Sequence, residues 1–259
     1  MKHTVKLSTV AWILITLLLG GCAAEPVLPT AVEVTENTEL PLSPAVLQKT
    51  EDRGQSYVDS FVFLGESTTY HLKSRGVLTG GKQTTQVWGP DGGTVNLDAN
   101  IGSLRIRYPE TGELLSLSEA LARKRPKRLL LCFGLNGAPA KLKRGAESFK
   151  SCYRILLDTV RSASPHTTIV LQSAPPVAEN MDMSAYSMTL DQLNAAIETI
   201  NGWTLELAEE YGVYYLNTAE ILRDGDGRLS MSYQVGDGHH LTAEAYGKIL
   251  WYLRTHGCP

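Results

Sequence analysis

The chain lacks any apolar run long enough to cross a bilayer. Its longest apolar stretch, Ala11 to Leu19, stands at the N-terminus and falls well short of the about 20 residues that a spanning helix needs. A multi-pass membrane protein is therefore excluded. Positive charge is not in excess either. There are 24 Lys and Arg residues against 27 Asp and Glu residues, for a net charge of -3, so a nucleic-acid partner is not expected. Cysteine is scarce, with 4 residues. Cys132, Cys152 and Cys258 show no C-x-x-C spacing, which argues against zinc and reads better as buried free thiols than as a bridge. No internal repeat is visible, so a solenoid is excluded. What is present, 43% hydrophobic and 20% charged residues, is an ordinary globular composition.

The first segment reads as an address. Lys2 and Lys6 precede the apolar stretch, which ends in Leu19-Gly20-Gly21-Cys22. This is a secretory signal pattern, and small residues before Cys22 suit a peptidase that binds extended backbone closely. The pattern resembles the bacterial lipoprotein signal. That resemblance implies removal of residues 1–21, lipidation of Cys22, and an extracytoplasmic protein held at a membrane surface without a spanning helix. A plain cleaved signal with an incidental Cys is the alternative. Residues 22–55 read as a flexible tether, rich in Glu, Thr and Pro. Within it, Ser43-Pro44 has the chemistry of a helix start. Residues 56–259 suffice for one domain.

That body alternates strand and helix signals. Short apolar runs at 61–64, 129–133, 168–171 and 213–216 read as buried strands. A β-rich stretch covers 83–88. A β-hairpin is expected from 94–106 and 114–117 around Tyr108-Pro109-Glu110-Thr111-Gly112. Helices are expected at 118–124, 141–162 and about 190–211, and a last one is capped by Thr242. The alternation argues for a parallel sheet covered on both faces. In such sheets ligands bind beyond the C-terminal strand ends.

Three of those ends carry candidate chemistry. Gly65-Glu66-Ser67 follows the first strand. A serine at the start of a helix is either a nucleophile with backbone N–H groups nearby or an N-cap. Gly134-Leu135-Asn136-Gly137 follows the 129–133 strand. There the Asn amide is either an oxyanion donor or part of a turn. Asp237-Gly238-His239-His240 precedes the last helix, and a carboxylate three residues before a His is able to orient its ring as a general base.

Taken together, Ser67, Asn136 and Asp237-x-x-His240 resemble the SGNH/GDSL hydrolase family over roughly residues 57–255. The resemblance implies a three-layer α/β/α sandwich of flavodoxin-like type, with the hairpin as an insertion. It implies Ser67, His240 and Asp237 as a catalytic triad. It also implies an oxyanion hole from the Ser67 N–H, the Asn136 amide and a glycine N–H. Gly93 is the favoured glycine among Gly89, Gly92, Gly93 and Gly102. Two positions depart from the family pattern: Glu66 stands where the family has Asp, and Gly137 replaces the Asp that follows the family's Asn.

The function implied is a serine esterase acting by two-step acyl transfer without metal or organic cofactor. Its expected substrate is an acylated small molecule or polysaccharide, acetyl esters of cell-envelope or environmental carbohydrate first. The alternatives are an O-acyltransferase, a lipid esterase or thioesterase, and a non-catalytic ligand-binding lipoprotein. The remaining signals carry less. Gly76–Lys82 has P-loop spacing but is followed by Gln83 and a strand signal. Asp224-Gly225-Asp226-Gly227 lacks the other ligands of a calcium loop. His71 is expected on a solvated helix face, with lining of the cleft beside Ser67 as the alternative, and Trp88 and Tyr70 are expected in the core rather than against a sugar.

Overall fold

A computed structural model of the chain describes residues 43–92 and 94–259. The expected signal at 1–21, Cys22, most of the expected tether and Gly93 lie outside the described residues. The strands are β1 (Phe61–Gly65), β2 (Val87–Trp88), β3 (Arg105–Arg107), β4 (Leu114–Ser116), β5 (Arg128–Cys132), β6 (Thr168–Gln172) and β7 (Tyr214–Leu216). The helices are α1 (Gly54–Asp59), α2 (Ser67–Ser74), α3 (Leu117–Lys124), α4 (Ala138–Arg144), α5 (Ala146–Ala163), α6 (Leu190–Tyr211) and α7 (Ala243–Thr255).

Five strands form one parallel sheet in the order β2-β1-β5-β6-β7. Every residue of β1 and β5 is buried. Successive side chains point to opposite faces, and each face is covered. Val62, Leu64, Leu129, Leu131, Ile169 and Leu171 pack with residues of α3, α5 and α6. Phe61, Phe63, Leu130 and Val170 pack with residues of α1, α2 and α7. Two covered faces explain why these strands read as unbroken apolar runs rather than as alternating ones. The register pairs Gly65 with Cys132 and Cys132 with Gln172. The chain therefore leaves β1, β5 and β6 side by side at one edge, where the site is assembled.

The elements differ from the sequence reading in four places. The expected helix over 141–162 is two helices, separated by Gly145 at φ 85°. The β-rich stretch at 83–88 contributes only Val87 and Trp88, because pairing with β1 begins there. The hairpin is confined to β3 and β4. Residues 94–104 contain no strand, only a helical turn at Ile101–Ser103.

The folded body also begins earlier than residue 56. Ser43-Pro44 opens a turn rather than a helix, with the Val46 N–H donating to the Ser43 carbonyl at 3.0 Å. Val46 bridges Tyr215 in parallel, and Ala45 and Leu47 are buried. These apolar residues cover the open edge of β7, which would otherwise present unpaired backbone groups. As expected, Cys132 and Cys258 are buried free thiols; Cys152 is free and half-buried.

Candidate active site

Ser67 owes its position to two neighbours. Gly65 ends β1 so close to β5 that a Cβ there would overlap the Cys132 carbonyl oxygen and Thr69 Oγ1. Glu66 then takes the N-cap position of α2, with its carbonyl accepting from the N–H groups of Thr69 at 2.9 Å and Tyr70 at 3.1 Å. Ser67 is therefore the first residue of the helix and not its cap. Its hydroxyl has no hydrogen-bond partner among the described residues. The first N–H groups of a helix lack intrahelical acceptors, so the Ser67 N–H is available to an anion.

The Asp237–His240 segment folds into a turn around the carboxylate. Asp237 Oδ1 accepts from the backbone N–H of His239 at 3.1 Å and of His240 at 2.9 Å. Asp237 Oδ2 lies 2.7 Å from His240 Nδ1. Partial burial works to raise the Asp237 carboxyl, but these donors override it and hold it well below the usual carboxylate range. Bonding through Nδ1 leaves His240 Nε2 on the far side of the ring, free to take a proton. Gly238, at φ 82°, makes the turn possible: a Cβ there would meet the Met181 backbone at 2.5 Å. Its carbonyl accepts from the Ala178 N–H at 2.7 Å, which fastens the turn to the loop after β6.

The turn is docked on the helix that Ser67 begins. The His71 ring, one helical turn past Ser67, lies 4.6 Å from the His240 ring. Tyr246 Oη donates to the Thr68 carbonyl at 2.6 Å, and Arg75 Nε donates to the Leu241 carbonyl at 3.3 Å. His71 is thus half-buried rather than on a solvated face, and its buried Nδ1 has no hydrogen-bond partner among the described residues. Burial, and then the charges of His240 and Arg75, push its pKa down. No hydrogen bond joins Ser67 to His240 among the described residues; contacts of this kind often tighten only around a substrate.

Asn136 is held from below by Glu66. The buried Glu66 carboxylate accepts from the Leu135 N–H at 3.0 Å and the Asn136 N–H at 2.9 Å through Oε2. Burial pushes Glu66 up, while the Lys141 ammonium and backbone hydrogen bonds from the loop, that of Asn136 first, pull the other way. Glu66 thereby holds the loop that carries Asn136 and Gly137. Gly137 itself, at φ 65°, starts α4 without a side-chain cap. The Asn136 side-chain amide donates to Asn96 Oδ1 at 3.4 Å.

Of the glycines considered for the oxyanion hole, Gly93 lies outside the described residues. Gly102 is placed against Ile155 of α5 and lines a cavity between α3 and α5. Asp237, His239 and His240 each bring a ligand atom within 4.8 Å of the others. Asp237 Oδ2 and His240 Nδ1 are already bonded to each other, so the cluster serves the turn before any metal. The Asp224 carboxylate accepts from the N–H groups of Asp226 and Arg228, so this segment is a turn.

Beside α2 a cavity of about 250 Å³ is lined by Tyr70, Lys73, Asp91, Arg107 and Tyr108 together with the apolar Val87, Pro90 and Pro109, and none of Ser67, Asn136 and His240 lines it. Trp88 is buried in the core as expected, whereas Tyr70 is 46% exposed. A larger cavity of about 820 Å³ lies between α3 and α5, and none of Ser67, Asn136 and His240 lines it. Sequence reasoning missed Asn96, Lys141 and the ring contact of His71. Only His71 had a visible signal, its spacing of four from Ser67.

The model of the GDSL-like lipase/acylhydrolase family matches residues 63–248. No curated protein matches the chain. Among solved structures, the fold is similar to a protein of Streptococcus pneumonia provisionally assigned as a platelet activating factor. The identity is 16%, the match covers 78% of this chain and 91% of that one, and the TM-score is 0.51. The fold is also similar to an aryl esterase of M. smegmatis, at 16% identity, 75% and 95% coverage, and a TM-score of 0.50.

Proposed function

The chain belongs to the GDSL-like lipase/acylhydrolase family, and on that premise we propose that it is an esterase using Ser67, His240 and Asp237 to remove short acyl groups from carbohydrate. The observation that carries this reading is the 2.7 Å bond from His240 to Asp237, on a ring that packs against the helix beginning at Ser67. His240 Nε2 takes the Ser67 proton as Oγ attacks the ester carbonyl. Asp237 fixes the ring and stabilises its positive form. The developing oxyanion is received by the Ser67 N–H and the Asn136 amide. His240 then gives its proton to the leaving alcohol. Water, activated by the same ring, attacks the acyl-serine and releases the acid and free Ser67.

The preference for sugar esters over long lipids is supported by the flank of α2 just past Ser67, where the exposed Tyr70 ring and Lys73 offer an aromatic face and a charge to a hydroxylated alcohol. Neither the cavity there nor the large one is lined by Ser67, Asn136 or His240. We also propose an extracytoplasmic site of action with lipidation at Cys22, a reading supported by the sequence of residues 2–22.

The test is hydrolysis of a chromogenic acyl series, acetyl to long chain, by the full chain in mild detergent. Turnover that falls with chain length, and that Ser67→Ala and His240→Ala both abolish, is the expected result. Turnover untouched by Ser67→Ala overturns the assignment of the nucleophile. A preference for long chains overturns the substrate class.

A further inference from the structure

The Asn136 backbone is gripped on both sides. Its N–H is taken by Glu66 Oε2 at 2.9 Å. Its carbonyl oxygen accepts from the ammonium of Lys141, which also lies 3.4 Å from Glu66 Oε1. Lys141 is 6% exposed and Glu66 2% exposed, an unusual depth for either residue type. They come from different elements: Lys141 from the middle of α4, Glu66 from the residue immediately before Ser67. The three groups close a ring of contacts joining the start of α2 to the loop after β5.

We infer that Lys141 is a positioning residue for the reaction, locking the Asn136 backbone so that its side-chain amide stays fixed relative to Ser67. This inference rests on the reading of Asn136 as an oxyanion donor. Three features favour positioning over bulk stability. A buried ion pair is a poor source of stability compared with an apolar pair of similar volume. Lys141 bonds to the one residue of the loop whose side chain is read as catalytic. In addition, Gly137 starts α4 at a positive φ with no side chain to cap it, so no side chain at that position restrains the loop.

An oxyanion donor acts through pre-set geometry: it lowers the barrier without tightening the ground state. Loosening one should lower kcat and spare KM. Lys141→Met is therefore expected to reduce kcat on 4-nitrophenyl acetate about 10- to 100-fold, within the range for misplaced catalytic groups, with KM changed less than about threefold. A variant that leaves Glu66 buried without its partner risks misfolding, so Glu66→Gln/Lys141→Met is measured beside it as a neutral pair, with thermal melting followed for each.

The decisive comparison repeats both in an Asn136→Ala background. If Lys141 works through Asn136, its loss has little further effect there. An equal drop in both backgrounds, or a rise in KM without loss of kcat, overturns the positioning role while leaving the esterase reading intact. If Asn136→Ala itself leaves kcat unchanged, the oxyanion assignment fails, and Lys141 has nothing to position. Turnover that survives Ser67→Ala marks failure of the esterase reading as a whole.

Discussion

The ring of His71 packs against the ring of His240 at 4.6 Å, across the gap between helix α2 and the turn before α7. Both rings have Asp237 and His239 nearby, and Arg75 lies on the His71 side. Burial comes first in pushing His71 down, and the charges of His240 and Arg75 add to it, against the pull of Asp237. The folded protein thus holds His71 neutral at a pH where an exposed His is already protonated.

That depression has a sign. Below about pH 6.5 the unfolded chain binds the His71 proton before the folded one does, so stability contributed by neutral His71 is lost as pH falls from there toward the lowered value. His71→Phe keeps a ring against His240 and removes the titration. The urea midpoint should therefore drop less between pH 7.5 and pH 5.5 in His71→Phe than in the parent. Equal drops in both would contradict the depressed His71.

Asp237→Asn keeps the size of the side chain but loses the charge that orients His240 and stabilises its positive form. Loss of kcat by about 10²- to 10⁴-fold is expected from the general behaviour of such triads. The measurement is steady-state hydrolysis of 4-nitrophenyl acetate at pH 7.5. Retention of more than a tenth of the activity would show that His240 does not depend on Asp237.

Gly65→Ala tests the close approach that sets the start of α2. The added methyl would overlap a backbone oxygen at Cys132, which cannot rotate away as Thr69 Oγ1 can. Overpacking of this kind costs about 1–3 kcal/mol. Urea unfolding should show that loss together with reduced activity, because any shift of the strand end displaces Ser67. An unchanged midpoint would mean that β1 and β5 have room the structure does not show.

Much of this architecture is legible in the sequence, for a physical reason. Strands buried on both faces are short apolar runs; the polar residues that follow Gly65 and Phe133 stand out against them, as does Asp237-Gly238-His239-His240 before the last helix. Thr242 is read as a cap and is one, its Oγ1 accepting from the Ala245 N–H at 3.2 Å. The break at Gly145 had a signal, a glycine inside an amphipathic pattern, which the periodicity of its neighbours outweighed. Ala45 and Leu47 were hidden by the polar composition around them.

The partnership of Glu66 with the Asn136 loop left no local trace. The carboxylate bonds backbone N–H groups about 70 residues away, and a backbone partner carries no residue type to recognise. Lys141 was illegible for the opposite reason: on a helix surface a lysine ordinarily reads as solvated, and only the packing of α4 against the site buries it.

The most direct test of the central claim is covalent. The full chain is incubated with a fluorophosphonate, digested and analysed by mass spectrometry for the modified residue. The account predicts a single adduct on Ser67, lost in Ser67→Ala and slowed by at least about tenfold in His240→Ala, since the reagent reports an activated serine. Absence of label on a folded protein, or label on another serine, would contradict it.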